Sequence, residues 1–120
     1  MSKACIIIPT FKSWTVTKET VEKLLYEQTT KDFDIIVVDA GSEDYKRLSK
    51  IFKNGKRVTI IHTNKDLGGA GSFWLGMKYA YEQGYDIFIL GDNDCIPVSS
   101  NLVEELCNCL LYTSDAADDG

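Results

Sequence analysis

No run of about 18 apolar residues, the length a helix needs to cross a bilayer, occurs in the 120-residue chain. No segment therefore reads as a membrane span. The N-terminus, Met1-Ser2-Lys3-Ala4, enters an apolar stretch directly, without the charged, apolar and small-residue regions of a secretory signal. The expected compartment is the cytoplasm. There is no basic excess either: 13 Lys and Arg stand against 18 Asp and Glu. Nucleic acid is excluded as an expected partner, because its phosphates call for a basic face. The four cysteines, Cys5, Cys95, Cys107 and Cys109, follow no metal-binding spacing, and Cys107-x-Cys109 is tighter than a C-x-x-C pair. They read as reduced thiols, with Cys5 a small core residue.

The acidity is uneven along the chain. Residues 109–120 resemble the translation of a transposase sequencing adapter, and without Asp115, Asp118 and Asp119 the balance is 15 acids against 13 bases. The expectation is a natural reading frame that ends near Asn108, a non-native tail at 109–120, and a chain that is the front of a longer protein.

Within 1–108 the pattern alternates short apolar runs with amphipathic stretches. Cys5-Ile6-Ile7-Ile8 is a β-branched run closed by Pro9, which cannot continue a central strand. A helix capped by Thr15 or Thr17 is expected to run to Gln28, with Val16, Val21, Leu24 and Leu25 on one face. A second buried strand at 34–38 ends in Asp39-Ala40-Gly41-Ser42. Ser42 is expected to cap a short helix carrying Tyr45, Leu48, Ile51 and Phe52. Asn54-Gly55 signals a turn before a third strand at 57–62. A glycine-rich loop at 63–71 leads to a helix at 72–83 closed by Gly84. His62 is expected as a strand-end residue, and Trp74, Tyr79 and Tyr81 as helix packing. The fourth strand, Ile87-Phe88-Ile89-Leu90, is apolar throughout, as a strand covered on both faces must be. After Pro97, Ser99 or Ser100 is expected to cap a further helix.

This βαβαβαβ order implies an α/β fold, Rossmann-like, with a mostly parallel sheet, right-handed crossovers and helices on both faces. A strand order of 3-2-1-4 would bring Pro9-Thr10-Phe11 beside Asp92-Asn93-Asp94, with Asp39 one strand over. Open α/β sheets bind their ligands at such a switch point. No glycine follows the first strand, which excludes the dinucleotide fingerprint, and no G-K-[ST] occurs to make a P-loop. Sugar-phosphate nucleotidyltransferases also need a glycine-rich loop there. Asp92 and Asp94, just past a buried strand, could instead share a hard divalent cation with phosphate oxygens.

Ile6-Ile7-Ile8-Pro9-Thr10-Phe11, Val37-Val38-Asp39-Ala40-Gly41-Ser42 and Asp92-Asn93-Asp94 resemble, in order and approximate spacing, the front of an inverting GT-A glycosyltransferase of family 2. The segment from Asn64 to Phe73, with Gly68-Gly69-Ala70-Gly71-Ser72, further resembles its galactofuranosyl- and rhamnosyltransferase-like branch, although Ser72 replaces a glycine. The resemblance implies a sheet truncated after the D-x-D, with 1–108 as the nucleotide-sugar-binding part. It implies a UDP- or dTDP-linked sugar as donor and a glycan or lipid-linked acceptor. Thr10 and Phe11 would line the nucleoside pocket, and Asp39 would bond base or ribose unless it caps the next helix. Gly41 belongs to the same strand end. Gly68, Gly69 and Gly71 would let backbone approach the diphosphate. Asp92 and Asp94 would hold Mg²⁺ or Mn²⁺ as a Lewis acid, with Asn93 touching ribose or sugar hydroxyls. The general base that inversion requires would follow the D-x-D by a long interval, beyond this fragment, so the fragment is expected to be inactive alone. Membrane association, at the inner face, would come through other parts of the protein. The alternatives are a non-catalytic nucleotide-sugar-binding module and, further behind, a phosphatase-type hydrolase using the D-x-D.

Overall fold

The computed structural model describes residues 3–94 and 100–107. Seven elements follow one another: β1 (Ala4–Thr10), α1 (Trp14–Glu27), β2 (Phe33–Ala40), α2 (Asp44–Ile51), β3 (Val58–Thr63), α3 (Gly68–Glu82) and β4 (Ile87–Leu90). A helical turn at 102–107 follows. The expectations placed on Cys95, Pro97, Ser99, Cys109 and the tail 109–120 lie outside the described residues. Among the described residues no helix is long and apolar enough to cross a membrane.

The sheet order is β3-β2-β1-β4 and every pairing is parallel, as the alternation of strands and helices predicts. Side chains alternate between faces along each strand. Ile6, Ile8, Ile35 and Val37 enter one core with Val21, Leu24 and Leu25 of α1 and Leu48 of α2. Cys5, Ile7, Ile36 and Val38 enter a second with Ala80, Phe73 and Met77 of α3. Two helices thus cover one face and α3 covers the other, which is why the middles of the central strands, 5–8 and 35–38, are apolar at every position. Burial, with Asp34 second, pushes the Cys5 thiol up to about 12. Asp34 also accepts a hydrogen bond from the Tyr85 hydroxyl, whose pKa is raised by burial and by that bond.

Four expectations are corrected. Helix α1 begins at Trp14 with Ser13 at the N-cap position, and Thr15 and Thr17 lie inside it. Its buried face carries Thr17 and Thr20 beside Val21, Leu24 and Leu25, whereas Val16 is 37% exposed. The two threonines can be buried because their hydroxyls find partners at the strand ends. Ser42 stands outside α2, whose N-cap is Glu43, although its Oγ accepts the Asp44 N–H at 3.3 Å.

The third correction concerns α3. It starts at Gly68, so the glycines expected in a loop form its first turn. Asp66 makes this possible by accepting the Gly68 N–H at 2.9 Å, and Ser72 bonds back to the Gly68 carbonyl at 2.8 Å. Last, Trp74 and Tyr81 are 58% and 77% exposed, not packed. The face of α3 turned to the sheet carries Ser72, Gly76 and Ala80, four residues apart. A Cβ on Gly76 would lie 2.4 Å from Ile7 Cγ2, so the helix sits close to the strands and its large aromatics fall on the far side.

Candidate functional site

A cleft of about 280 Å³ opens at the carboxyl ends of β1, β2 and β4, against the first turn of α3. The pleat decides what reaches it. Pro9 and Ala40 share the α3 face with Ile7, Ile36 and Val38, and they line the cleft. Asp39, one residue earlier, points to the opposite face. It is completely buried, and its carboxylate accepts the Ser42 N–H and hydroxyl at 3.0 and 2.6 Å and the Tyr45 N–H at 2.8 Å. Of the two roles open to Asp39, the structure places its oxygens in that of a cap on the entry to α2. Its register partner His62 stacks on Tyr45, ring centroids 3.8 Å apart and 5° from parallel. His62 is thus a strand-end residue as expected.

Thr10, Phe11, Gly68, Gly69, Asp92 and Asn93 come together on the cleft wall, and the described wall does not include Asp39, Gly41, Gly71 or Asp94. Phe11 is exposed, with the Lys12 ammonium 5.1 Å from its ring centroid. Gly41 is a packing glycine. Its φ is +99°, and a Cβ there would stand 2.9 Å from the backbone of Asp66, so the bare Cα lets the β3–α3 connection cross the end of β2. Gly71 similarly accommodates Leu67, whose Cβ a side chain would meet at 2.7 Å. Gly68 and Gly69 differ from both: a Cβ at either would meet nothing within 4 Å. Helix geometry leaves first-turn amides without intrahelical acceptors, and here that turn forms part of the cleft wall.

Below the wall lies a hydrogen-bond network. Thr10 is buried, and its hydroxyl donates to Asp44 Oδ2 at 2.6 Å, which also accepts the Ser13 N–H at 2.9 Å. A hydroxyl carries one hydrogen, so Thr17, 2.7 Å from Thr10 Oγ1, is the donor in that pair. Asn93 joins from β4's end. Its Nδ2 donates to Ser13 Oγ at 2.6 Å and to Thr17 Oγ1 at 3.2 Å, while Thr20 donates to its carbonyl at 2.6 Å. Sequence reasoning passed over Asp44, Ser13, Asp66, Ser72 and Phe73. Asp66 had a signal, an acid two residues before a glycine pair, which is an Asx-turn pattern. Asp44 had none, since an acid in a first helical turn ordinarily faces water.

The glycosyl transferase family 2 model matches residues 5–110 of the chain. An uncharacterized glycosyltransferase of Rickettsia felis is 33% identical over 120 residues, covering 94% of this chain and 19% of that protein. The galactofuranosyltransferase GlfT1 of Mycolicibacterium smegmatis is 33% identical over 84 residues, covering 68% of this chain and 27% of that protein. The chain therefore spans about a fifth of the length of its Rickettsia relative. Among solved structures, S. aureus TarS 1–349 in complex with UDP superposes with a TM-score of 0.71 at 19% identity, over 88% of this chain and 31% of that one. A mannosyltransferase from Pyrobaculum calidifontis, in complex with GDP-Man and Mn²⁺, gives 0.61 at 18% identity, over 82% and 29%. Those two likenesses establish the fold, the GT-A arrangement that the family resemblance implies. With the family model matched across nearly its whole length, the chain belongs to glycosyl transferase family 2.

Proposed function

We propose that this chain is the donor-binding part of a glycosyltransferase that moves a sugar, with inversion, from a nucleoside diphosphate to a glycan or lipid-linked acceptor. One observation carries the reading: Phe11, the open first turn of α3 and Asp92 converge on a single cleft. In this reading the nucleoside lies toward Thr10 and Phe11. The diphosphate lies against the α3 turn, where backbone N–H groups and the helix dipole favour an anion. The space left open at Gly68 and Gly69 keeps side chains away from it. Asp39 acts from beneath, by holding α2 in place.

Among the described residues no three His, Cys, Asp or Glu side chains gather into a metal cage. Asp92 on the cleft wall, with Asp94 two residues on, still fits Mg²⁺ or Mn²⁺, which bind through one or two carboxylates and complete their shell with phosphate oxygens and water. When bound, the ion would neutralise charge on the departing nucleoside diphosphate. UDP in the TarS complex and Mn²⁺ in the mannosyltransferase complex support the same class of ligand. The GlfT1 likeness supports the galactofuranosyltransferase-like branch.

The general base is proposed to lie outside the described residues. The acids on the cleft wall are Asp66 and Asp92, and Asp66 already accepts the Gly68 N–H. Binding without turnover is the behaviour proposed for this chain. Calorimetric titration of UDP and dTDP, with Mn²⁺ and after chelation, tests the reading beside Asp92→Asn. Metal-dependent binding that falls at least about tenfold in Asp92→Asn is expected, the loss of a charged ligand interaction worth over 1 kcal/mol. Binding indifferent to metal and to Asp92 would overturn the assignment.

A further inference from the structure

We infer that Asn93 is a latch, and that Thr20, which never reaches the cleft, is a positioning residue for the carboxylate of Asp92. The inference rests on the donor-site reading above. Asn93 lies between the two acids, on a turn that follows the edge strand β4. Three hydrogen bonds tie it to α1 and its cap: Nδ2 to Ser13 and Thr17, and the carbonyl from Thr20 at 2.6 Å.

Both hydrogens of the Asn93 carboxamide are spent in this way. It has no N–H left to offer a ribose or sugar hydroxyl, the role its place in the motif suggested. The latch is anchored deeply. Thr17 and Thr20 are buried in the face of α1 that packs on the sheet, and Thr17 is tied through Thr10 to Asp44 of α2. Asn93 thus ties the turn that carries Asp92 to α1 directly, and through Thr17 and Thr10 to the end of β1 and the start of α2. The carboxylate one residue before Asn93 inherits its direction from this framework. A ligand group held within a fraction of an ångström binds a cation and its diphosphate without first being ordered. An aspartate in the middle position would lose the amide donors and add a third negative charge beside Asp92 and Asp94.

Thr20→Val removes the bond to the Asn93 carbonyl while keeping the side chain's shape, and Thr20→Ser restores the hydroxyl. The affinity of each variant for UDP is measured with Mn²⁺ and after chelation, and amide exchange is followed at residues 91–94. With Mn²⁺, Thr20→Val is expected to bind UDP about five- to tenfold more weakly, the size of one lost hydrogen bond. Its metal-free affinity should be unchanged, and Thr20→Ser should recover most of the loss. Faster exchange at 91–94 in Thr20→Val should accompany it. Equal losses with and without metal would mean a general structural role and overturn the inference, as would no loss at all. Should Thr20→Val fail to fold, Asn93→Ala, altered in the turn and not the core, should show the same metal-dependent loss; a normal metal response there also overturns it. If the unaltered chain shows no metal-dependent UDP binding, the donor-site reading falls and the latch's role falls with it. That outcome is distinct from a variant that binds normally beside a responsive parent.

Discussion

At the scale of single residues, the site is ordered by where carboxylates send their oxygens. Asp39 and Asp44 both sit near the entry to α2, and both are buried with their acceptors occupied by N–H and O–H groups. Asp92 is exposed in the cleft and Asp66 half commits itself to capping α3. The exposed acid suits a cation, and the buried ones suit a scaffold. Asp44→Ala would strand the Thr10 hydroxyl and the Ser13 N–H without their acceptor. It should cost about 2–4 kcal/mol of stability in urea unfolding, since bonds to a charged group are worth roughly 1.5–3 kcal/mol each and partly recoverable by water. A change within experimental scatter would show that Thr10 and Ser13 find other partners. Asp39 was legible in the sequence as a strand-end acid, and so was the choice between ligand and cap. Its strand parity decides that choice, because Val37 and Asp39 share the face that α1 and α2 cover.

At the scale of elements, α3 is the informative one. Its sequence predicts a start at Ser72, four residues after the observed one, and places Trp74 and Tyr81 in the packing, where the structure exposes them. The glycines hide the first turn, which Asp66 caps, and the exposed aromatics have a separate cause. A helix ordinarily meets a sheet through large side chains, but this one meets it through Ser72, Gly76 and Ala80. The glycines therefore divide by role. Gly76→Ala would press a methyl group against Ile7 and Val38, at 2.4 and 3.1 Å from their Cγ2 atoms. Overpacking of this kind costs about 1–3 kcal/mol, which exceeds the roughly 0.5–1 kcal/mol that alanine gains over glycine in a helix. Gly69→Ala meets nothing, so thermal unfolding should show it as stable as the parent or stabilised by up to about 1 kcal/mol. Its methyl group enters the cleft, and nucleotide binding should weaken. If Gly69→Ala instead destabilises the fold without touching nucleotide affinity, the open space at the α3 turn is not a binding surface.

At the scale of the whole molecule, the sheet is asymmetric. β1 and β2 are buried between neighbours, while β4 pairs with β1 alone among the described residues and leaves Leu90 half exposed. An apolar, unpaired strand edge is a template for association. The chain should therefore associate with rising concentration in sedimentation, and Leu90→Lys should shift it toward monomer by placing a charge on that edge. Concentration-independent monomers in both proteins would show that the edge is protected.

What the sequence determined by itself was the order of elements and the mostly parallel sheet; the strand order 3-2-1-4, on which the meeting of the first and fourth strand ends depends, it offered only as a condition that the structure meets. The first two follow from local signals: β-branched runs bounded by Pro and Gly, helices between them, and the handedness of crossovers. The membership in family 2 was legible for the same reason, since its motifs fall at strand ends. Only the tertiary structure decided which polar groups line the cleft and which bond to each other. Thr10, Asp39 and Asn93 carry the right chemistry for donor binding. Yet the hydroxyl of Thr10, the carboxylate of Asp39 and the amide hydrogens of Asn93 are engaged by residues 3 to 80 positions away in sequence. A hydrogen bond depends on two partners within about 3 Å of each other, and no spacing along one segment records where a second segment will lie.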